Sequence, residues 1–399
     1  MCRIKTLLVV IDGLGDRPIA EFENKTPLAY AKTPFLDSLA SKSQCGLLSA
    51  VGKFKRPSSD VAHMAIFGLD YINQYPGRGP IELAGLDTKF SSNDLALRGN
   101  FAHFSKEGKI LDRRAYRLTP SKKLLSAISP IEIDGVIFNV HHIAEHRFAL
   151  QISGPNLSSA ISNNDPHFEG VCADLIEPLN SKRNSQYTAD VLNKYIKRVN
   201  AMLSELNENS VNGILLRSAG FPPNWPSFYN TYGLKASCIT NNALYNGIGR
   251  LLGMKVILSN RFKDYTEYYK TIPVLLEQAL DESDFVFLHF QETDLFGEDG
   301  DHNKKKDVIE KIDAAISCVE SYNNDLCTVV TADHSTPCSL KGHSGDPVPF
   351  MICCKGNRFD SVNVFSEFAC GFGSLGHLEG KDVMPLILNV TNNSKLIGG

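Results

Sequence analysis

The sequence predicts an α/β protein, a mostly parallel sheet flanked by helices, carrying a smaller inserted α+β domain. Short apolar runs bounded by Asp, Gly or Pro recur at Leu7–Ile11, Gly213–Leu216, Val256–Leu258, Phe285–Leu288, Thr328–Thr331 and Val348–Cys353. They alternate with longer helical stretches at Thr33–Ser41, Thr188–Asn207, Ala243–Gly253, Thr266–Leu280 and Lys304–Tyr322. That alternation is the signature of a parallel sheet with crossover helices. Between about Leu83 and Asn180 the texture changes to short alternating stretches, Leu95–Phe104, Val136–Val140 and Arg147–Ser153, which marks the insertion. The expected division is 1–85 with 181–399 for the larger domain and 86–180 for the inserted one.

At 399 residues the chain exceeds one average domain and can bury a substantial core. With 41 Lys and Arg against 44 Asp and Glu, the formal charge is −3, so no broad basic field exists to attract nucleic acid. The ten cysteines are scattered without a C-x-x-C pair, which reads as reduced thiols of a cytoplasmic protein. The first apolar run, Leu7–Ile11, is far too short to span a bilayer and no cleavage pattern follows it, so no membrane segment is expected. Oligomeric state is left open.

Ligands of such sheets bind beyond the carboxyl ends of strands. Asp12, Asp294 and Asp333 each stand at or shortly after the end of an apolar run. Asp12 alone reads as a turn or helix cap, and so does Asp294. Asp333 and His334 are stronger, because a carboxylate and an imidazole side by side beyond a strand can address one ion. Ser58, Ser59 and Asp60 locally suggest an N-cap for a helix through Ala62–Phe67, and a serine at a helix N-terminus is also where backbone N–H groups hold a phosphoryl group. With His343 in G-H-S-G-D-P, these residues make the set a two-metal phosphoryl-transfer site needs. The inserted segment concentrates Arg98, Arg113, Arg114, Arg117 and Arg147, as a domain facing an anionic substrate would.

The joint pattern resembles the cofactor-independent phosphoglycerate mutases of the archaeal type, members of the alkaline-phosphatase superfamily. The resemblance covers nearly the whole chain: D-G-L-G-D-R-P at Asp12–Pro18, K-T-P-L at Lys25–Leu28, S-D-V-A-H at Ser59–His63, G-R-G-P at Gly77–Pro80, R-G-N-F at Arg98–Phe101, D-R-R-A at Asp112–Ala115, E-H-R at Glu145–Arg147, D-P-H at Asp165–His167, and D-H-S-T-P-C with H-S-G-D-P-V-P across Asp333–Pro349. It implies an alkaline-phosphatase-like fold and two divalent ions, manganese or magnesium before zinc. One would be held by Asp12, Ser59, Asp333 and His334, the other by Asp294, His343 and the residue four after Asp294. Ser59 would be the nucleophile, accepting the phosphoryl group of 3-phosphoglycerate and returning it to give 2-phosphoglycerate. Arg98, Asp112, Arg113, His146 and Arg147 match positions that face the substrate, with Arg217 and Lys270 as further candidates; the arginine fork suits a carboxylate or phosphate. The inserted domain would keep glycerate from leaving and water from entering.

One departure concerns the second ion. The pattern D-x-x-x-H becomes D-L-F-G-E here, putting Glu298 where the family has His, a change that favours harder ions. His302, four residues on, offers an imidazole nearby. Gln291 stands where the family usually has Lys, Tyr116 interrupts D-R-R-A-G-R, and Ser259–Lys263 lacks G-A-T-G. These changes leave open the same mechanism on another substrate, such as a phosphonate analogue, a phosphatase, or a metal-binding descendant without catalysis.

Overall fold

The computed structural model of the chain describes residues 4–206, 208, 210–257 and 265–396. It forms two compact units, Met1–Gln74 with Pro226–Gly399, and Tyr75–Trp225. The first is built on an eight-stranded sheet whose spatial order is Lys255–Val256, Ala236–Ile239, Phe285–Phe290, Lys5–Ile11, Leu326–Thr331, Val348–Cys353, Gln44–Ser49 and Gly376–Glu379. Four of these strands matter below: β1 (Lys5–Ile11), β2 (Ala236–Ile239), β3 (Phe285–Phe290) and β4 (Leu326–Thr331). Among the described residues only the pairings of Val348–Cys353 with its two neighbours are antiparallel, so the sheet is mostly parallel.

β1 is central, and Leu7 to Ile11 are fully buried on both faces, which explains its unbroken apolar run. Its register fixes the geometry of the site. Ile11 pairs with Phe290 and Val10 with Thr331, so the strands end nearly level and the residues after them emerge side by side. The helices carrying functional residues are α1 (Ser59–Ile66), α2 (Ala243–Leu251), α3 (Glu292–Asp299) and α4 (His302–Ile316).

The second unit holds an antiparallel sheet in the order Ile110–Asp112, Leu95–Phe104, Arg147–Ser153, Val136–Ala144 and Ile131–Ile133, with Gly213–Gly220 also paired to Leu95–Phe104. It is wider than 86–180. The run Gly213–Leu216, expected in the parallel sheet, is an antiparallel strand here, tied to the Asn164 side chain through the Leu216 N–H and the Ile214 carbonyl. The helix expected at Thr188–Asn207 runs from Arg183 to Leu206 and buries Leu192, Tyr195, Val199 and Leu203 in one cluster with Leu97, Phe138, Phe148 and Ile214. A run buried on both faces carries no alternation, so its sequence does not tell a parallel from an antiparallel partner. Residues 258 to 264, which include the Ser259–Lys263 departure, lie outside the described residues.

The loop after β1 is held by a buried cation. Lys305 of α4 is 0% exposed and its ammonium donates to Asp16 Oδ2 at 2.8 Å, to the Gly15 carbonyl at 3.1 Å and to the Thr336 carbonyl at 2.9 Å. Asp16 also accepts from the Cys338 N–H. Removing one partner of a buried ion pair strands the other charge, at a cost of about 3–5 kcal/mol. Lys305→Met is therefore expected to lower the urea unfolding midpoint sharply, whereas an unchanged midpoint would mean that the pair does not hold the loop.

Candidate active site

Three strand ends of the larger unit bring acidic side chains together. Asp12 follows β1, Asp333 lies two residues beyond β4, and Asp294 sits in the first turn of α3, just past β3. Ser59 opens α1, whose N-cap, Ser58, makes no side-chain capping bond; the Ser59 hydroxyl instead meets His334 Nε2 at 3.2 Å.

Asp12 and Asp333 are each anchored by one oxygen and present the other. The Tyr245 hydroxyl of α2 donates to Asp12 Oδ2, leaving Oδ1 without a hydrogen-bond partner at 3.3 Å from His334 Nε2. Asp333 Oδ1 accepts from the backbone N–H groups of Gly13 and His334, leaving Oδ2 unpartnered at 3.2 Å from the same nitrogen. Donor atoms around an ion with bonds of ~2.0–2.2 Å stand roughly 3.3–3.6 Å apart in a tetrahedron, close to these separations. The donor set fits a divalent cation.

Electrostatics point the same way. Burial first, then repulsion from Asp333 and Asp294, pushes the Asp12 carboxyl well above its ordinary value. Burial also raises Asp333 to about 7. Burial and the nearby His343 hold His334 well below the usual imidazole range, so it stays neutral. Buried carboxylates with open oxygens beside a neutral imidazole call for a compensating cation.

Among the described residues two groups of metal-ligating side chains converge, Asp12 with Asp333 and His334, and Asp294 with His334 and His343. The His334 and His343 rings stack at 3.6 Å. His343 Nδ1 lies 2.8 Å from the Pro57 carbonyl, which can only accept, so Nδ1 carries the proton and Nε2, 3.6 Å from Asp294 Oδ1, offers a lone pair. Glu298 stands one turn after Asp294 on α3 and is in neither group. His302 packs edge-on against Phe22.

Further residues support these ligands from behind. Tyr245 stacks on His289 at 3.5 Å, and His289 Nε2 lies 3.7 Å from Asp12 Oδ2. His63 Nδ1 donates to the Ser59 carbonyl at 2.7 Å. Gln291 accepts from the Asn242 side chain, the N-cap of α2, so the departed position ties α2 to the start of α3. His63 closes the S-D-V-A-H motif; Tyr245 carried no signal, since an aromatic in a buried helix reads as core.

In the second unit Glu82, 3% exposed, accepts from Arg78 Nε at 2.8 Å and lies 3.4 Å from Arg98 Nη1. Burial opposes its ionisation, but Arg98, Arg78 and Arg147 outweigh that and hold its carboxyl below the ordinary range. Arg113 forms a two-bond pair with Asp165 at 2.9 and 2.7 Å, and Arg217 lies 3.4 Å from the same carboxylate. Among the described residues the buried Nε atoms of Arg98 and Arg147 have no hydrogen-bond partner. His146 is buried among arginines and pushed down to about 3 by burial, then by Arg147 and Arg114, so it is neutral. Asp112 Oδ1 accepts from the backbone N–H groups of Arg114 and Tyr116, a turn-forming role. Lys270, on the larger unit's helix Tyr265–Glu282, is exposed.

A model of the metalloenzyme superfamily matches residues 4–390. A 2,3-bisphosphoglycerate-independent phosphoglycerate mutase of Picrophilus torridus is 39% identical, covering 98% of this chain and 99% of that protein. One of Methanocaldococcus jannaschii is 38% identical over 99% of each. Among solved structures, the cofactor-independent phosphoglycerate mutase of Thermoplasma acidophilum superposes with a TM-score of 0.70 at 33% identity, covering 98% of this chain and 100% of that one. The PH0037 protein of Pyrococcus horikoshii gives 0.81 at 28% identity over the whole of both. The chain belongs to the metalloenzyme superfamily and, within it, to the 2,3-bisphosphoglycerate-independent phosphoglycerate mutases.

Proposed function

We propose that this chain is a metal-dependent phosphoglycerate mutase interconverting 3-phosphoglycerate and 2-phosphoglycerate through a phosphoserine on Ser59. The observation that carries the reading is the Ser59 hydroxyl at the N-terminus of α1, 3.2 Å from His334 Nε2, the nitrogen that the open oxygens of Asp12 and Asp333 also approach. The names of the relatives support the substrate, a small phosphorylated acid.

Asp12, Ser59, Asp333 and His334 would hold one divalent ion, and Asp294 and His343, with Glu298 one turn on, a second. Such ions supply Lewis-acid charge that makes a serine hydroxyl nucleophilic and offsets the phosphoryl oxygens. Carboxylate-rich donors suit manganese or magnesium better than zinc. Ser59 gives up its hydroxyl proton as its Oγ attacks phosphorus, the bond from phosphorus to the C3 oxygen breaks, and that oxygen takes up one proton in turn, giving glycerate and phosphoserine. Attack by the 2-hydroxyl reverses the transfer and regenerates the serine. The N–H groups at the start of α1 orient the phosphoryl oxygens.

Arg98, Asp112, Arg113, His146, Arg147 and Arg217 are the second unit's proposed share in holding the acid, and Lys270 the larger unit's. The open Nε atoms of Arg98 and Arg147 support an anion-binding role. The free cysteines agree with a cytoplasmic setting, and no described helix is long and apolar enough to cross a membrane. Because Glu298 stands outside both convergent groups, the second reading is the same mechanism on a different phosphorylated or phosphonate acid.

Phosphorus NMR with 3-phosphoglycerate and manganese tests the proposal: wild type should form 2-phosphoglycerate and Ser59→Ala none. Release of free phosphate would make the chain a phosphatase, and no turnover by wild type would refute the mutase reading.

Metal removal gives an independent check. In the metal-free protein Asp333 keeps its proton up to about 7, against an ordinary 3.8. The unfolded chain releases that proton first, so metal-free stability falls as pH rises from 3.8 through about 7, and Asp12 adds to the loss. Ions bind the deprotonated carboxylates. The rise in melting temperature on adding manganese should therefore be larger near neutral pH than at about pH 5; an equal rise at both would contradict the assignment.

A further inference from the structure

The motif at Asp333 continues into Thr336, a residue to which the reading above gives no role. Its side chain is 0% exposed, and its hydroxyl lies between the two groups of ligands. Thr336 Oγ1 donates to Asp294 Oδ1 at 2.6 Å and stands 3.1 Å from His334 Nδ1. A hydroxyl has one proton, and an ionised carboxylate can only accept. With that proton given to Asp294, the contact with His334 requires the ring to donate from Nδ1. The lone pair of His334 is then on Nε2, the atom that faces Ser59, Asp12 and Asp333 at 3.2 to 3.3 Å.

The backbone around this hydroxyl is locked. The Thr336 N–H donates to the Gly15 carbonyl at 3.0 Å, and its own carbonyl accepts from the buried Lys305. Two glycines allow the approach. A Cβ on Gly13, whose φ is +61°, would stand 2.5 Å from Thr336 Oγ1 and 2.8 Å from Asp294 Cα, and a Cβ on Gly297 would stand 2.5 Å from the Thr336 carbonyl oxygen. The segments bearing Asp12, Asp294 and His334 therefore all close on Thr336.

We propose that Thr336 is a positioning residue that serves both metal groups at once, setting the tautomer of His334 for one and orienting Asp294 for the other. The inference rests on the metal-centre reading given above. Partners behind metal ligands typically carry a 10- to 100-fold share of metal affinity. Because one hydroxyl serves two ligands, its loss should be felt at both sites together, which a residue that merely supports the fold would not produce.

The test is manganese binding to the full chain, followed by the electron paramagnetic resonance signal of free Mn²⁺, for wild type, Thr336→Val, Thr336→Ser and Thr336→Ala. Thr336→Val keeps the shape without the hydroxyl and should weaken both manganese sites by roughly 10- to 100-fold. Thr336→Ser keeps the hydroxyl and should return both to within a few-fold of wild type. If Thr336→Val does not fold, Thr336→Ser against Thr336→Ala makes the same comparison. Wild-type affinity at either site in the hydroxyl-free variant would overturn the inference while leaving the metal centre standing. A wild type that takes up no manganese would overturn both.

Discussion

The constraint on which the rest of the larger unit depends is the burial of uncompensated charge where β1, β3 and β4 end. Asp12 and Asp333 are 1% exposed and His334 is 2% exposed, and each aspartate directs one open oxygen at the same nitrogen. A core does not tolerate such a cluster by itself, because a buried charge without a partner costs several kcal/mol. The surrounding structure does not neutralise it either: Tyr245 and the Gly13 N–H each satisfy one oxygen and leave the other. Neutral donors hold the shape while the charge is left for a cation.

That division explains how the elements are arranged. The register of the parallel strands, with Val10 opposite Thr331, brings Asp12 and Asp333 out at the same level. Buried Lys305 fixes the Asp16 loop and the Thr336 carbonyl, and the Asn242 to Gln291 contact ties α2, which carries Tyr245, to α3, which carries Asp294. The second unit solves the opposite problem. It gathers arginines around Glu82 and Asp165, and the guanidinium nitrogens left unpaired on Arg98 and Arg147 suit an anion.

Much of this was legible in the sequence. Asp12, Asp333 and His334 follow β-type apolar runs and converge, and Asp294 joins His334 and His343. Position after a strand end singled out the aspartates, and the joint pattern of motifs, not any one position, told them from turn or cap residues. The helix Arg183–Leu206 and the strand Gly213–Gly220 were misplaced because amphipathicity reports that a face is buried, not which sheet buries it. Tyr245, Glu82 and Thr336 were silent for a related reason. Tyr245 and Thr336 matter through one hydrogen bond to a residue far off in the chain, which no spacing rule encodes, and Glu82 through the arginines it gathers, of which only Arg78 stands at helical spacing. Helical spacing puts Glu298 one turn after Asp294, while the convergent groups form without it.

The most direct test of the central claim is anomalous X-ray scattering at the manganese edge from crystals of the full chain grown with manganese. The account predicts two peaks per chain, one bounded by Asp12, Ser59, Asp333 and His334 and the other by Asp294 and His343. Crystals that show no ion among these side chains, with Asp12 and Asp333 still buried and facing each other, would contradict it.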